Sequence, residues 1–232
     1  TYRTNPQRHS ICSRSRWSMI KLALVGKNIS HSRSPEIYKK HLLAEHSYTF
    51  LDYQSCDRIP SANDLLDEFT GISITSPYKT HFLNQVELTD ETQKLGAVNC
   101  LYKANNKIFG ANTDYEALKQ LLPSHYLDRV AVLGTGAMSN IWQILLKEQS
   151  ISYELFGRKI NGDLNLLDLS SYTLIINCCS REFDFLGKLT ERTLFWDMNY
   201  SKKHSGTISN YQDGMELLDL QAQLALKHWG LV

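Results

Sequence analysis

The chain has 232 residues, enough for one large domain or two small ones with real cores. Its 42% hydrophobic and 21% charged residues are ordinary for a globular protein, and 25 basic against 24 acidic residues exclude a strongly basic nucleic-acid surface. No apolar run reaches the ~18 to 20 residues of a membrane span, so neither membrane nor nucleic acid is expected as a partner.

Residues 1–18 hold four arginines and no acid, and read as a non-native or extended leader outside the fold. From Met19 onward 21 basic residues face 24 acidic ones, a balance of −3, so an anionic ligand would be drawn by local site design rather than by the global field. Ile20 to Val25 is a buried-type strand ending at Gly26. Pro35 opens a helix with Ile37, His41, Leu42 and Leu43 on roughly one face. Tyr48 to Tyr53 is a second strand, and Ser61 to Phe69 a helix capped by Ser61 or Asn63. The alternation of Ile72 and Ile74 predicts a strand from Gly71, and Pro77 suits the start of a following helix. This β-α-β-α-β-α order implies a parallel sheet covered by helices.

Ala97 to Lys103 and Lys107 to Ala111 flank Ala104-Asn105-Asn106, a hairpin signal. A helix from about Asp114 to Leu122 reaches a break at Pro123-Ser124, near which a domain boundary is expected. Arg129 to Leu133 is a strand running into Gly134-Thr135-Gly136, and a helix with Ile141, Ile144 and Leu145 follows. Tyr153 to Phe156, Leu174 to Ile176 and Leu194 to Trp196 are further buried-type strands, and Met215 to Trp229 is a long closing helix.

Five cysteines, Cys12, Cys56, Cys100, Cys178 and Cys179, show no C-x-x-C spacing and read as reduced, buried thiols of a cytosolic protein. The eight histidines include no H-E-x-x-H and no Cys/His cluster, so no metal is expected.

Five places carry chemistry. Lys79, after the 71–74 strand, could donate to a substrate hydroxyl or shuttle a proton, although by itself it reads more simply as a solvated helix-start lysine. In Asn112-Thr113-Asp114, Asn112 or Thr113 caps a helix, while Asp114 is placed to meet Lys79 across a cleft. A paired lysine and aspartate hold each other charged and can pass a hydroxyl proton. Ser32 and Ser34, before Pro35, offer two hydroxyls to a carboxylate or to ligand hydroxyls, or are ordinary capping serines. Gly134 and Gly136 form a strand–turn–helix phosphate cradle with Ser139 in place of the third glycine; a tight turn is the plainer alternative. At the end of the next strand Arg158 and Lys159 suit the 2′-phosphate of NADP, while a solvated loop pair accounts for them equally well.

Taken in order, Gly26 to Pro35 (GKNISHSRSP), Ser73 to Lys79 (SITSPYK), Gly96 to Cys100 (GAVNC), Gly110 to Asp114 (GANTD), the glycine turn, Asp197 to Tyr200 (DMNY) and Gly214 to Gln221 (GMELLDLQ) resemble the shikimate dehydrogenase family. The match runs from about Met19 to Gly230. The resemblance implies a two-domain α/β enzyme that interconverts 3-dehydroshikimate and shikimate with NADP, NAD being possible, in aromatic amino-acid biosynthesis. It implies Lys79 and Asp114 as catalytic residues. Ser32, Ser34, Thr75, Asn99, Tyr200 and Gln221 would bind substrate, and Gly134, Gly136, Ala137, Arg158 and Lys159 the cofactor. Residues 19–113 plus 212–232 would form the substrate domain, with the closing helix returning to it, and 114–211 a shortened Rossmann-like domain. A cytoplasmic monomer or homodimer is expected.

The chain departs from the family pattern at Ser73, where Asn is usual, and at Cys100, where Thr is usual. Ala137-Met138-Ser139-Asn140 lacks the family's basic residue, Asn177-Cys178-Cys179-Ser180 is an altered Asn-Ala-Thr segment, and Arg158 to Asn177 is too short for a full crossover. That trimming keeps open a non-catalytic shikimate sensor with a decayed cofactor domain. A quinate-preferring dehydrogenase is the alternative within the same class.

Overall fold

The computed structural model describes residues 19–122, 127–200 and 206–232; the leader, Cys12 and the Pro123-Ser124 break lie outside the described residues. The first half builds β1 (Ile20–Gly26), α1 (Ser34–His41), β2 (His46–Asp52), α2 (Ala62–Glu68), β3 (Gly71–Ile74), β4 (Glu87–Leu88), α3 (Asp90–Leu95), β5 (Cys100–Ala104) and β6 (Lys107–Ala111). The described strands among these form one sheet in the order β2-β1-β3-β5-β6-β4. β1 pairs in parallel with β2 and β3, whereas β5 runs antiparallel to β3 and β6. The β5–β6 turn uses Asn105 and Asn106 at φ 50° and 59°, a left-handed pair that asparagine tolerates and that matches strand twist in a tight hairpin.

The second half adds α4 (Thr113–Leu121), β7 (Val130–Leu133), α5 (Ala137–Glu148), β8 (Tyr153–Phe156), α6 (Arg158–Asn161), β9 (Leu174–Asn177), β10 (Leu194–Asp197), β11 (Tyr211–Gln212) and α7 (Met215–His228). Its sheet, β11-β10-β9-β7-β8, is parallel throughout. Strands buried on both faces need no polar alternation, which is why VAVL and LIIN read as continuous apolar runs.

Each sheet is covered on both faces. In the first, Ala23, Val25, Ile72 and Ile74 pack under α2, while Leu22 faces Ile37 and Tyr38 of α1 and Ala222, Leu226 and Trp229 of the C-terminal segment. Trp229 anchors that segment: its indole N–H donates to the Leu101 carbonyl at 3.0 Å, and its ring lies over Gly71. In the second sheet, Val130, Val132 and Ile176 pack against α4, α5 and the Leu217 face of α7. The opposite face, Ala131, Leu133, Ile175 and Phe195, is closed by Leu169, Tyr172 and Phe185 from the irregular stretch after α6. A single helical turn and a folded loop stand where a crossover helix would run.

Several local expectations are corrected. Pro77 opens no α-helix; it follows a cis Ser76–Pro77 bond and leads into one 3-10 turn, Tyr78–Thr80. Leu43 does not share the buried face of Ile37 and Leu42, because α1 ends at His41 and Leu43 is fully exposed. α3 and β4 carry too little apolar periodicity to be read from sequence. The thiols are not uniformly buried: Cys100 is, Cys178 and Cys179 are half-buried, and Cys56 is exposed.

Candidate active site

Between the two sheets lies a cavity of about 190 Å³. Lys79, Asp114, Ser32, Ser34, Thr75, Asn99, Tyr200 and Gln221 all line it. They come from β1–α1, β3 and its turn, the approach to β5, the β6–α4 corner, the β10 loop and α7, so residues from both ends of the described chain share one small volume.

The pair at its centre is Lys79 Nζ and Asp114 Oδ2, 2.6 Å apart, with side chains 13% and 12% exposed. Lys79 is fixed from behind by its own carbonyl, which accepts from the Val98 N–H at 2.7 Å. Asp114 sits in the first turn of α4, where the dipole favours an anion. The cap of that helix is Asn112: its Oδ1 accepts from the Tyr115 N–H at 3.1 Å, and its Nδ2 donates to the Ala97 carbonyl at 2.9 Å. Asn99 supports the same corner by accepting from the Thr113 N–H at 2.7 Å, and the Thr113 hydroxyl also reaches Gln221 Oε1 at 3.3 Å. Both ions are thus held by backbone geometry, with little rotamer freedom left to lose on binding.

At the other end, the Ser32 hydroxyl donates to Ser34 Oγ at 3.1 Å beside the α1 start. Tyr200 follows a loop organised by buried Asp197, which accepts from Asn177 Nδ2 at 3.0 Å, from the Asn199 N–H at 3.0 Å and from the Tyr211 hydroxyl at 3.2 Å. Burial raises the Tyr211 phenol, and the Asp197 charge raises it further, so it remains a neutral donor. Arg181 lies over the Tyr200 ring at 5.1 Å.

Sequence reasoning missed Met138 and Met198, which wall the cavity from the second sheet, and His31 at its rim. Ser73, noted only as a departure, also lines it; strand alternation signals this, since Ser73 shares the parity of Thr75.

The cofactor candidates divide. Gly134, Gly136, Arg158 and Lys159 line one cleft of about 730 Å³ with Cys178 and Cys179, whereas Ala137 lines a neighbouring cavity with Lys79 and Pro77. Gly134 has φ +100°, and a Cβ there would come within 2.9 Å of the Cys178 carbonyl oxygen, so the turn requires glycine. Gly136 is different: its backbone is extended and a Cβ would meet nothing within 4 Å. It opens α5 without any side-chain cap, leaving helix-end amides facing an open cleft. Arg158 and Lys159 are exposed and form no ion pair among the described residues. Uncapped amides, open space and two cations fit a dinucleotide phosphate. The half-buried Cys179 thiol, pushed up to about 11 mainly by burial, stays neutral in that cleft.

Among the described residues no cluster of His, Cys, Asp and Glu could hold a metal ion, and no helix is long and apolar enough to cross a membrane.

Residues 24–101 match the family model described as the shikimate dehydrogenase substrate binding domain. A shikimate dehydrogenase (NADP(+)) of Clostridium beijerinckii is 32% identical over 151 residues, covering 60% of this chain and 56% of that protein. One of Haemophilus ducreyi is 26% identical across 89% of this chain and 90% of its own length. Among solved structures, shikimate 5-dehydrogenase from Thermus thermophilus, in complex with NADP(H) and shikimate, superposes with a TM-score of 0.73 at 22% identity, covering 92% of this chain and 94% of that one. Shikimate dehydrogenase 1 from Peptoclostridium difficile gives 0.71 at 20% identity over 91% and 92%. The fold is therefore the two-domain α/β fold of these proteins. The ordered motifs, the matched domain and the shared fold together make this chain similar to shikimate dehydrogenases, with residues 24–101 matching their substrate binding domain.

Proposed function

We propose that this chain reduces 3-dehydroshikimate reversibly to shikimate with NADP(H), residues 19–113 plus 212–232 binding the acid and 114–211 the dinucleotide. The observation that carries the reading is the largely buried Lys79–Asp114 ion pair facing a cavity large enough for one small polyol ring. A pair so withdrawn from water loses solvation on both ions, and a binding pocket alone would be served by neutral donors. The relatives named above, two of which carry NADP(+) in their names, support the choice of substrate and cofactor.

In this reading Ser32, Ser34 and Tyr200 take the carboxylate end of the ring, with Thr75, Asn99 and Gln221 on the hydroxyls. Lys79 sits at the reacting oxygen: its ammonium stabilises the developing alkoxide and gives up a proton, and in the reverse direction takes one back. Asp114 keeps that ammonium charged and aimed. NADPH, when bound, supplies the hydride. Gly134, Gly136 and Ala137 border its phosphate path, and Arg158 with Lys159 would meet a 2′-phosphate. Met138 and Met198 keep water from the cavity wall.

A steady-state assay of Lys79→Ala tests the assignment: kcat should fall about 10²- to 10⁴-fold with a much smaller change in KM. A raised KM with kcat unchanged would mean that Lys79 only binds. The short α6 and the missing crossover helix favour one second reading, a shikimate sensor whose dinucleotide half no longer works. Calorimetry that finds shikimate binding but no NADP(H) binding would select it. The main reading carries a cytoplasmic location and a monomer or homodimer; light scattering on the purified chain distinguishes the two assemblies.

A further inference from the structure

Two tyrosines stand behind the serines of the cavity without lining it. Tyr38 of α1 and Tyr48 of β2 stack with ring centroids 5.4 Å apart. The Tyr38 hydroxyl is buried and hydrogen-bonded to Ser73 Oγ at 3.0 Å. The Tyr48 hydroxyl is equally buried and makes no well-formed hydrogen bond among the described residues, although Ser34 and Ser73 lie near enough to interact with it and partly offset the effect of burial. Burial raises both phenols, so each keeps its proton and needs an acceptor for it. A buried donor without one is costly, and native folds rarely tolerate it unless another state supplies the partner.

The serines show which state that is. Ser73 is already engaged by Tyr38. Ser34 Oγ accepts from the Ser32 hydroxyl, whose oxygen in turn accepts from the Ser34 N–H at 3.3 Å, so in the free cleft these two satisfy each other. A carboxylate has only acceptors to offer. On entering it would take the hydroxyl protons of both Ser32 and Ser34, so the Ser32 hydroxyl would leave Ser34 Oγ and both lone pairs of that oxygen would be free to accept.

We propose that Tyr48 is a positioning residue for the ligand carboxylate, its phenol closing to a well-formed hydrogen bond with Ser34 Oγ when the cleft is loaded. Ser34 would then accept from Tyr48 and donate to the carboxylate, each bond polarising the other. The inference rests on the shikimate reading given above.

The test compares Tyr48→Phe with Tyr38→Phe, by thermal unfolding of the free protein and by calorimetric titration with shikimate in the absence of cofactor. Tyr48→Phe should leave Tm unchanged or raise it, because the hydroxyl removed makes no well-formed hydrogen bond in the free state. It should weaken shikimate binding roughly three- to tenfold, the effect of one buried hydrogen bond. An analogue with hydroxymethyl in place of carboxylate should bind Tyr48→Phe and the unsubstituted protein alike. Tyr38→Phe should lower Tm, since it orphans Ser73 Oγ. Unaltered shikimate affinity in Tyr48→Phe, or a loss of Tm matching that of Tyr38→Phe, would overturn the inference alone. An unsubstituted protein that binds no shikimate would instead overturn the functional reading, and this inference with it.

Discussion

Lys79 and Asp114 lie 35 residues apart, one on a 3-10 turn and one on the first turn of a helix, and meet at 2.6 Å. Both are legible as sequence candidates because each follows a strand end, where side chains turn toward a cleft. What is not legible is the scaffold that fixes them: the Asn112 cap, the Asn99 acceptor and the Val98–Lys79 backbone bond include long-range contacts with no local signature. The two glycines of the turn separate by the same logic. Gly136→Ala meets no protein atom, so it should leave Tm unchanged while weakening NADP(H) binding about tenfold or more, as measured by fluorescence titration. Arg158→Ala should raise the KM for NADP roughly 10- to 100-fold, the loss of a charge-assisted bond to phosphate, and leave that for NAD within about twofold. Equal effects on both cofactors would remove Arg158 from the 2′-phosphate.

At the scale of elements, α1 and α7 matter most, because α1 begins at Ser34 and α7 carries Gln221. They are joined by Asp219, which accepts from Lys40 at 2.7 Å, from His41 at 2.9 Å and from Gln223 at 2.8 Å. Burial pushes the Asp219 carboxyl up, but the Lys40, His41 and Gln223 bonds outweigh it and leave it below the usual range. A depressed carboxyl stabilises the fold above its unfolded pKa and loses that contribution as pH falls through its folded value. The Tm gap between the protein and Asp219→Asn should therefore be widest near neutral pH and close on acidification below about pH 4. The C-terminal helix is readable from its leucines, but its destination follows only from the family resemblance and not from any local signal; the Gly71–Trp229 contact shows how it is held. A Cβ at Gly71 would lie 2.2 Å from the indole, so Gly71→Ala should cost roughly 1 to 3 kcal/mol in denaturant unfolding by displacing the ring. The helix wrongly expected after Pro77 shows the limit of local signals. Pro77 fits a helix start, but the chain turns there into the cavity and carries Lys79 with it.

For the whole molecule, the alternation of strands and helices makes the α/β class and the parallel second sheet legible, since doubly buried strands read as unbroken apolar runs. The sheet orders do not follow from sequence, because β5 and β6 extend the first sheet by antiparallel pairing and place its edge at β4. The shortened segment after α6 is visible as missing length, yet its compensation by Leu169, Tyr172 and Phe185 on the second sheet depends on tertiary packing. That packing bears on the proposed function: with the sheet face closed and the glycine turn formed, the second half retains a built cleft despite its trimmed crossover. The central claim is that this cleft and the Lys79–Asp114 cavity work together on one reaction. Absorbance of the reduced nicotinamide, recorded with shikimate plus NADP and in parallel with NAD and with quinate, tests it most directly. The account predicts reduction of NADP with shikimate, abolished in Lys79→Ala. A folded protein that binds shikimate and reduces neither cofactor with either acid would contradict it.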